Sequence, residues 1–286
     1  MQEKSLELLD QVLKIIESYN FALTLRQIYY QLVAKQIIPN QQKYYHQLSR
    51  LCVMGRNEGI LPEEAFSDRL REVDRLSSWP DLNDFLSTVK RSYHKDKWEN
   101  QDCYIEIWTE KDALRSVLTE VTYQYDVNLM VARGQLSRTE VYRTVERYKE
   151  KSDKECFLYY AGDFDPSGLS IFESIKERIS NFGTDILVDI FPTNHDINFE
   201  RIALTPEQIK KYQLPSDPAK QTDPNYKNFV KKYGDMVVEI DSLPPDELRN
   251  IVKSCIKRNI DYGLLAQVQE IEKEEQIKLD KFITGI

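Results

Sequence analysis

The chain has 286 residues, about twice an ordinary domain, which predicts one large domain or two of usual size. At 41% hydrophobic and 30% charged it can bury a core, and this composition argues against long disorder. Its 39 Lys and Arg against 47 Asp and Glu give a net charge of −8, which excludes a body coated in basic surface but not a local basic face. No apolar run approaches the ~18 residues that cross a bilayer. The opening MQEKSLELLDQVLKIIESYN carries acids among its apolar positions, so it reads as a helix of a cytoplasmic protein and not as a signal peptide. Cys52, Cys103, Cys156 and Cys255 lie far apart without metal-ligand spacing and read as buried free thiols. His46, His94 and His195 have no carboxylate or nucleophile arranged beside them in sequence, so neither a zinc site nor a histidine-based triad is supported.

Leu6, Leu9, Val12, Leu13 and Ile16 form the stripe of a first helix. Thr24 caps a second, with Leu25, Ile28, Tyr29, Leu32 and Val33 as its apolar face, and Pro39-Asn40 breaks it. A third helix over about 42–58 turns Tyr44, Leu48, Leu51, Cys52 and Gly55 inward. Three short helices with tight turns predict a helix-turn-helix module of the winged kind over residues 1–61. From Thr24 to Glu58 there are five Lys/Arg and one acid, a local reversal of the global charge. Lys43, His46, Arg50, Val53 and Asn57 share the outward side of the third helix, and Lys43, His46, Arg50 and Arg56 are the candidate DNA contacts. The plainer alternative is a solvated helix face in a protein-interaction module.

Residues 62–100 read as a helical connector in which Trp79, Phe85 and Trp98 require burial. From residue 101 the pattern changes to strands alternating with helices. CYIEIW, NLMVA (128–132), CFLYYAG (156–162) and ILVDIF (186–191) are predicted strands, separated by helices over about 111–125, from Ser137 and from Ser167. MVVEID (236–241) adds a further strand, residues 201–233 are less regular with a short helix after Thr205-Pro206, and Pro244-Pro245 opens a C-terminal helix. Such alternation predicts βαβ crossovers and a largely parallel sheet.

In an open α/β sheet, ligands bind beyond the carboxyl ends of the strands. Glu110 follows CYIEIWT, while Asp163 and Asp165 follow CFLYYAG in the run AGDFDPSG, two residues apart on an extended chain. Three hard oxygen donors from strand ends suit magnesium, and Ser167 and Gly168 leave room for close backbone approach. An Asp-x-Asp pair is also common turn and cap chemistry, and gains meaning only beside the strand-end glutamate. Ser137 reads as an N-cap, Glu106 as structural, and Arg133, Lys111, Glu239 and Asp241 as lesser candidates for phosphate or metal contact.

EIWTEKDAL and GDFDPSG resemble the Toprim fold of topoisomerases, primases and some nucleases. DFDPSG is most similar to the A subunit of topoisomerase VI and its relative, the meiotic double-strand-break transesterase. TLRQIYYQL resembles the arginine-x-x-tyrosine-tyrosine segment of that family's winged-helix domain, and VEIDSL its later glutamate-containing strand. The likeness covers about residues 20–60 and 100–260, with the same domain order, and extends to short bacterial and phage-encoded Toprim proteins. It implies an α/β Toprim domain over 101–286 behind the winged helix, Mg2+ held by Glu110, Asp163 and Asp165, a homodimer, and an enzyme acting on DNA. The chain is shorter than expected for a full A subunit and has no G-x-x-x-x-G-K-[ST] loop, so strand passage would need an ATPase partner in trans.

The expectation is therefore magnesium-dependent DNA strand cleavage. Tyr30 is the candidate nucleophile: it falls off the apolar stripe that holds Tyr29 and lies four residues after Arg26, whose charge would favour the phenolate. Two alternatives stay open: a hydrolytic Toprim nuclease in which water attacks, and a DNA-binding interaction protein without chemistry. Sequence leaves DNA topology and pathway unassigned.

Overall fold

In the computed structural model, which describes residues 3–19, 21–66, 76–182 and 197–284, the first three helices are α1 (Glu3–Glu17), α2 (Leu25–Ala34) and α3 (Gln42–Asn57). Thr24 opens α2 with a capping box: its Oγ1 accepts from the Gln27 backbone and the Gln27 side chain accepts from the Thr24 backbone. Leu9, Val12, Ile28, Leu32, Leu48 and Cys52 form the core between them. A side chain at Gly55 would stand 2.8 Å from Leu9 Cδ2, so glycine there lets α1 and α3 approach closely. Among the described residues this module is three helices with one isolated bridge, Leu23 to Phe66.

The connector contains α4 (Leu82–Ser92), capped by Asp81. It lies against the long terminal helix α11 (Tyr262–Thr284), to which Lys90 is tied through Asp280 at 2.7 Å. Trp98 is buried as expected, but Trp79 and Phe85 are not: they pack edge to face on each other at 4.8 Å and each stays 39% exposed. Phe85 lies on a helix that buries no residue and Trp79 just ahead of it, so the two rings shield each other.

The remaining elements, in chain order, are β1 (Cys103–Thr109), α5 (Arg115–Tyr125), β2 (Asn128–Val131), α6 (Arg138–Lys149), β3 (Glu155–Ala161), α7 (Pro166–Ser180), β4 (Asn198–Ala203), α8 (Pro206–Tyr212), α9 (Tyr226–Tyr233) and α10 (Pro245–Asn259). The four strands form one all-parallel sheet in the order β2-β1-β3-β4. Alternation along β1 divides its side chains between two cores. Ile105 and Ile107 join α5 and α10 on one face, whereas Tyr104 and Trp108 join α6 and α7 on the other. The chain is thus α/β, with eleven α-helices among the described residues.

Two expectations about strands change. MVVEID does not add a strand. Val238 and Val237 make single antiparallel bridges to Phe164 and Asp217, and a 3-10 turn follows at Ile240–Ser242. β3 is already paired on both sides, by β1 and β4, so this segment meets only the loops at the sheet's end. Conversely NFERIA, within and before the stretch read as irregular, is strand β4, the outermost strand on its side among the described residues. ILVDIF and His195 lie outside the described residues.

Candidate functional site

The chain leaves β1 for β2 through α5 on one face and leaves β3 through α7 on the other, so the carboxyl ends of β1 and β3 flank a topological switch point. Glu110 stands at the first end and Asp163 at the second. Glu110 Oε1 accepts from the Asp163 backbone N at 2.7 Å and Oε2 from the Tyr160 hydroxyl at 3.0 Å. Asp165 turns to its own helix: its Oδ1 caps α7 by accepting from Gly168 N at 2.6 Å. A Cβ at Gly168 would lie 2.5 Å from the Asp163 carbonyl oxygen, so this turn tolerates only glycine without moving.

Asp163 Oδ1 accepts from Ile240 N at 2.8 Å, which brings the 3-10 turn and its two acids over the switch point. At the centre stands Lys111. Its Nζ lies 2.7 Å from Asp163 Oδ1 and 3.0 Å from Asp241 Oδ2, and it also donates to Glu239. Burial would lower the Lys111 pKa, but Asp241, Asp163 and Glu239 outweigh it and hold the ammonium protonated well above its ordinary range. Burial pushes the Asp163 carboxyl well up, with Glu239 and Glu110 adding to the shift and Lys111 opposing it. Burial would also raise Glu239, yet Lys111 and then Arg26 overcome it and keep that carboxylate below the usual range.

Arg26 comes from the helical module. Its Nη2 is 2.9 Å from Glu239 Oε2 and its Nε 3.4 Å from Asp241 Oδ2, and Asn40 reaches Asp217 at 2.6 Å nearby. The face of α2 that carries Arg26 and Tyr30 is therefore docked against the acids of the α/β domain in the same chain. Tyr30, expected off the apolar stripe, is only 7% exposed, because α2 is covered on two sides: by its own core and by the 3-10 turn. The Arg26 guanidinium lies 5.8 Å from the Tyr30 ring centre. Burial raises the Tyr30 pKa to about 12, Glu239 adds to this, and Arg26 opposes it incompletely. Tyr29 packs as expected, its hydroxyl 3.1 Å from Asn40 Oδ1.

Lys43, His46 and Arg50 line the exposed side of α3. Arg56 does not join them: it donates to Glu63 at 3.0 Å and lies 4.7 Å over the Phe66 ring. Ser137 is the N-cap of α6, and Arg133 pairs with Asp112 at 2.8 Å. Glu106 is buried and fully engaged by Tyr104, Trp108 and Arg147. All four cysteines are buried and free.

Sequence reasoning passed over Arg201. From β4 it reaches behind the site, donating to the carbonyls of Gly162 at 2.8 Å, Gly168 at 3.3 Å and Asp163, and lying 5.5 Å over the Tyr160 ring. It fastens the Asp163–Gly168 turn at both ends. The signal was hidden because β4 itself carries mixed polarity.

The donor set has the chemistry of a divalent-cation site: carboxylates only, and one buried oxygen, Asp241 Oδ1, without a hydrogen-bond partner. Among the described residues no three acids stand at metal-ligand separation. Lys111 Nζ stands between Asp163 and Asp241, 2.7 and 3.0 Å from them. Among the described residues no helix is long and apolar enough to cross a membrane. Comparison of the chain with family models, with curated proteins and with solved structures finds no match to any of them.

Proposed function

We propose that the protein cleaves DNA strands with the help of magnesium, and that its sheet domain is a Toprim domain preceded by a winged-helix module. One observation carries this reading: Arg26 and Tyr30 of the helical module meet the acids of the β1–β3 switch point within one chain. Glu110, Asp163 and Asp165 are the residues that would hold Mg2+. When bound, the ion neutralises negative charge on a phosphate. The exposed basic side of α3, with Lys43, His46 and Arg50, supplies phosphate contacts that place the duplex.

In the transesterase form, the Tyr30 oxygen attacks phosphorus, the bond from phosphorus to the neighbouring sugar oxygen breaks, and a phosphotyrosine bond replaces it. The phenolic proton passes to water before attack, Arg26 stabilises the phenolate that results, and the leaving sugar oxygen takes a proton from water as its bond to phosphorus breaks. Water is the rival nucleophile, favoured in the docked arrangement because burial, with Glu239 adding to it, raises the Tyr30 pKa. Cutting both strands requires two sites about a groove apart, which calls for a homodimer; any strand passage requires an ATPase partner.

The test is incubation with supercoiled DNA and Mg2+, split before electrophoresis with and without proteinase. The transesterase leaves DNA covalently bound to protein, and Tyr30→Phe abolishes the adduct while Tyr29→Phe retains it. Cleavage without an adduct, undiminished in Tyr30→Phe, assigns the attack to water. Asp163→Asn abolishes both forms; a variant that cuts as well as wild type rejects the reading.

A further inference from the structure

A cavity of about 340 Å³ opens at the opposite end of the sheet from the acids, where α6 runs out beside the starts of β1 and β2. At about 3.3 Å per residue, β1 carries Tyr104 of this cavity about 20 Å from Glu110, so the two sites are separate. Its cationic wall is made by α6 and the turn after it: Arg147, Lys151 and Lys154. Lys154 is 8% exposed, yet among the described residues its ammonium makes no ion pair and bonds only to carbonyls, those of Trp98 and Glu99. A carbonyl solvates a buried cation without neutralising it, and buried charges ordinarily have a counter-ion. The half-buried Lys151 ammonium has no hydrogen bond or ion pair among the described residues. Buried Glu106 takes Nε and Nη2 of Arg147, which fixes the guanidinium plane and leaves Nη1 without a hydrogen bond there. The acids of the lining are partly spent: Asp96 and Asp126 each give one oxygen to a backbone amide, and Glu150 stands exposed at the end of α6.

We propose that this cavity binds a small organic phosphate that carries hydroxyl groups, a sugar phosphate in chemical class. Its phosphate oxygens accept from Lys151, Lys154 and Arg147 Nη1, and its hydroxyls donate to the remaining carboxylate oxygens of Asp96 and Asp126. A phosphate dianion offers three oxygens to these three cations, where a carboxylate offers two, and charge-assisted bonds are the strong kind. The volume sets the size: it stands at the lower end of the roughly 300–1,000 Å³ of ligand cavities, room for a phosphate and a short polyol and too little for a nucleic-acid strand. On a chain of net charge −8 a free anion is repelled by the whole, so its capture requires such a local arrangement. The inference stands apart from the cleavage reading, because no residue of this cavity belongs to the β1–β3 switch point.

The experiment is isothermal titration calorimetry of the full chain at low ionic strength, with ribose 5-phosphate as probe. A single equivalent should bind per chain. Lys151→Gln should weaken binding by about tenfold or more, as loss of a charge-assisted contact does. The Lys151 ammonium holds nothing else in the protein, so this variant keeps the fold. Lys154→Met should weaken binding at least as much. Lys149→Gln, an exposed charge of α6 outside the cavity, is the control for the general field and should change affinity by less than about twofold. Ribose itself should not bind measurably, and inorganic phosphate should bind about tenfold more weakly or worse, since each supplies only part of the contacts. The proposal is overturned if wild type takes up no ribose 5-phosphate, if Lys151→Gln weakens binding no more than Lys149→Gln, or if inorganic phosphate binds as tightly as the sugar phosphate. A short DNA duplex that displaces ribose 5-phosphate, and itself loses affinity for Lys151→Gln, assigns these cations to nucleic-acid phosphate and overturns it as well.

Discussion

A methyl group at Gly168 would meet the Asp163 carbonyl oxygen at 2.5 Å and Asp165 Oδ1 at 3.1 Å. In an exposed helix, Gly→Ala gains about 1 kcal/mol. Here the neighbour is backbone, which Arg201 and Glu110 hold in place, so the overlap cannot be relieved by a side-chain rotation. Gly168→Ala should cost about 1–3 kcal/mol in denaturant unfolding, as overpacking does, and should lower Mn2+ affinity by displacing Asp163. Tyr30 gives a prediction in pH. Its folded pKa of about 12 exceeds the ordinary phenol value, so the fold favours the neutral form. That contribution is present below pH about 10, the ordinary phenol value, and disappears as pH rises toward 12. Tyr30→Phe should therefore lose stability less steeply than wild type in this window, measured by urea unfolding at successive pH values. At Glu106, whose carboxylate is 1% exposed beneath Arg147, substitution by Ala leaves a half-exposed guanidinium and two buried donors without their acceptor. The expected loss is about 3 kcal/mol, the low end for a broken buried pair because Arg147 still reaches water.

At the scale of elements, α3 offers a surface that α2 does not. Lys43 and Arg50 are exposed, and replacing both with Gln should weaken DNA binding across sequences and reduce its slope against salt by about 2. Fluorescence anisotropy over a salt series measures this, and an unchanged slope moves the DNA surface elsewhere. The strands show what patterning can and cannot carry. β1 and β3 were legible because a central parallel strand is covered on both faces and reads as an apolar run. Asn198–Ala203 escaped because only Ile202 and Ala203 of its six residues are buried, so it carries neither an apolar run nor a strict alternation. MVVEID has strand composition, but it meets the turn after β3 and the loop at Asp217 through single bridges and joins no strand of the sheet. The glutamate and the two aspartates were placed correctly at strand ends, but their partners were invisible. The partners of Lys111 lie up to 130 positions away, and those of Arg26 depend on the docking of α2, a contact between residues 213 positions apart. The same docking buries Tyr30, which helical period alone turned toward solvent.

The whole molecule holds two populations of core. One lies among α1, α2 and α3, and the others on the two faces of the sheet. A helical module of this size buries a modest share of its surface and is marginal by itself. Ion pairs as exposed as Arg26–Glu239 are screened by salt. Calorimetry in rising sodium chloride should therefore resolve one broad transition into two, the helical module melting first. Phe21 sets how sharply that happens. It follows α1, packs against the helical core and the sheet core alike, and carries the Arg249 guanidinium 4.5 Å above its ring. Among the described residues no other hydrophobic side chain is shared by those two cores. The apolar share of cooperativity between the domains, read as the ratio of van't Hoff to calorimetric enthalpy, thus passes through this phenyl ring. Phe21→Ala should lower that ratio at low salt, where the charges alone still hold the halves together, and the molecule should then unfold as two neighbours and no longer as one body.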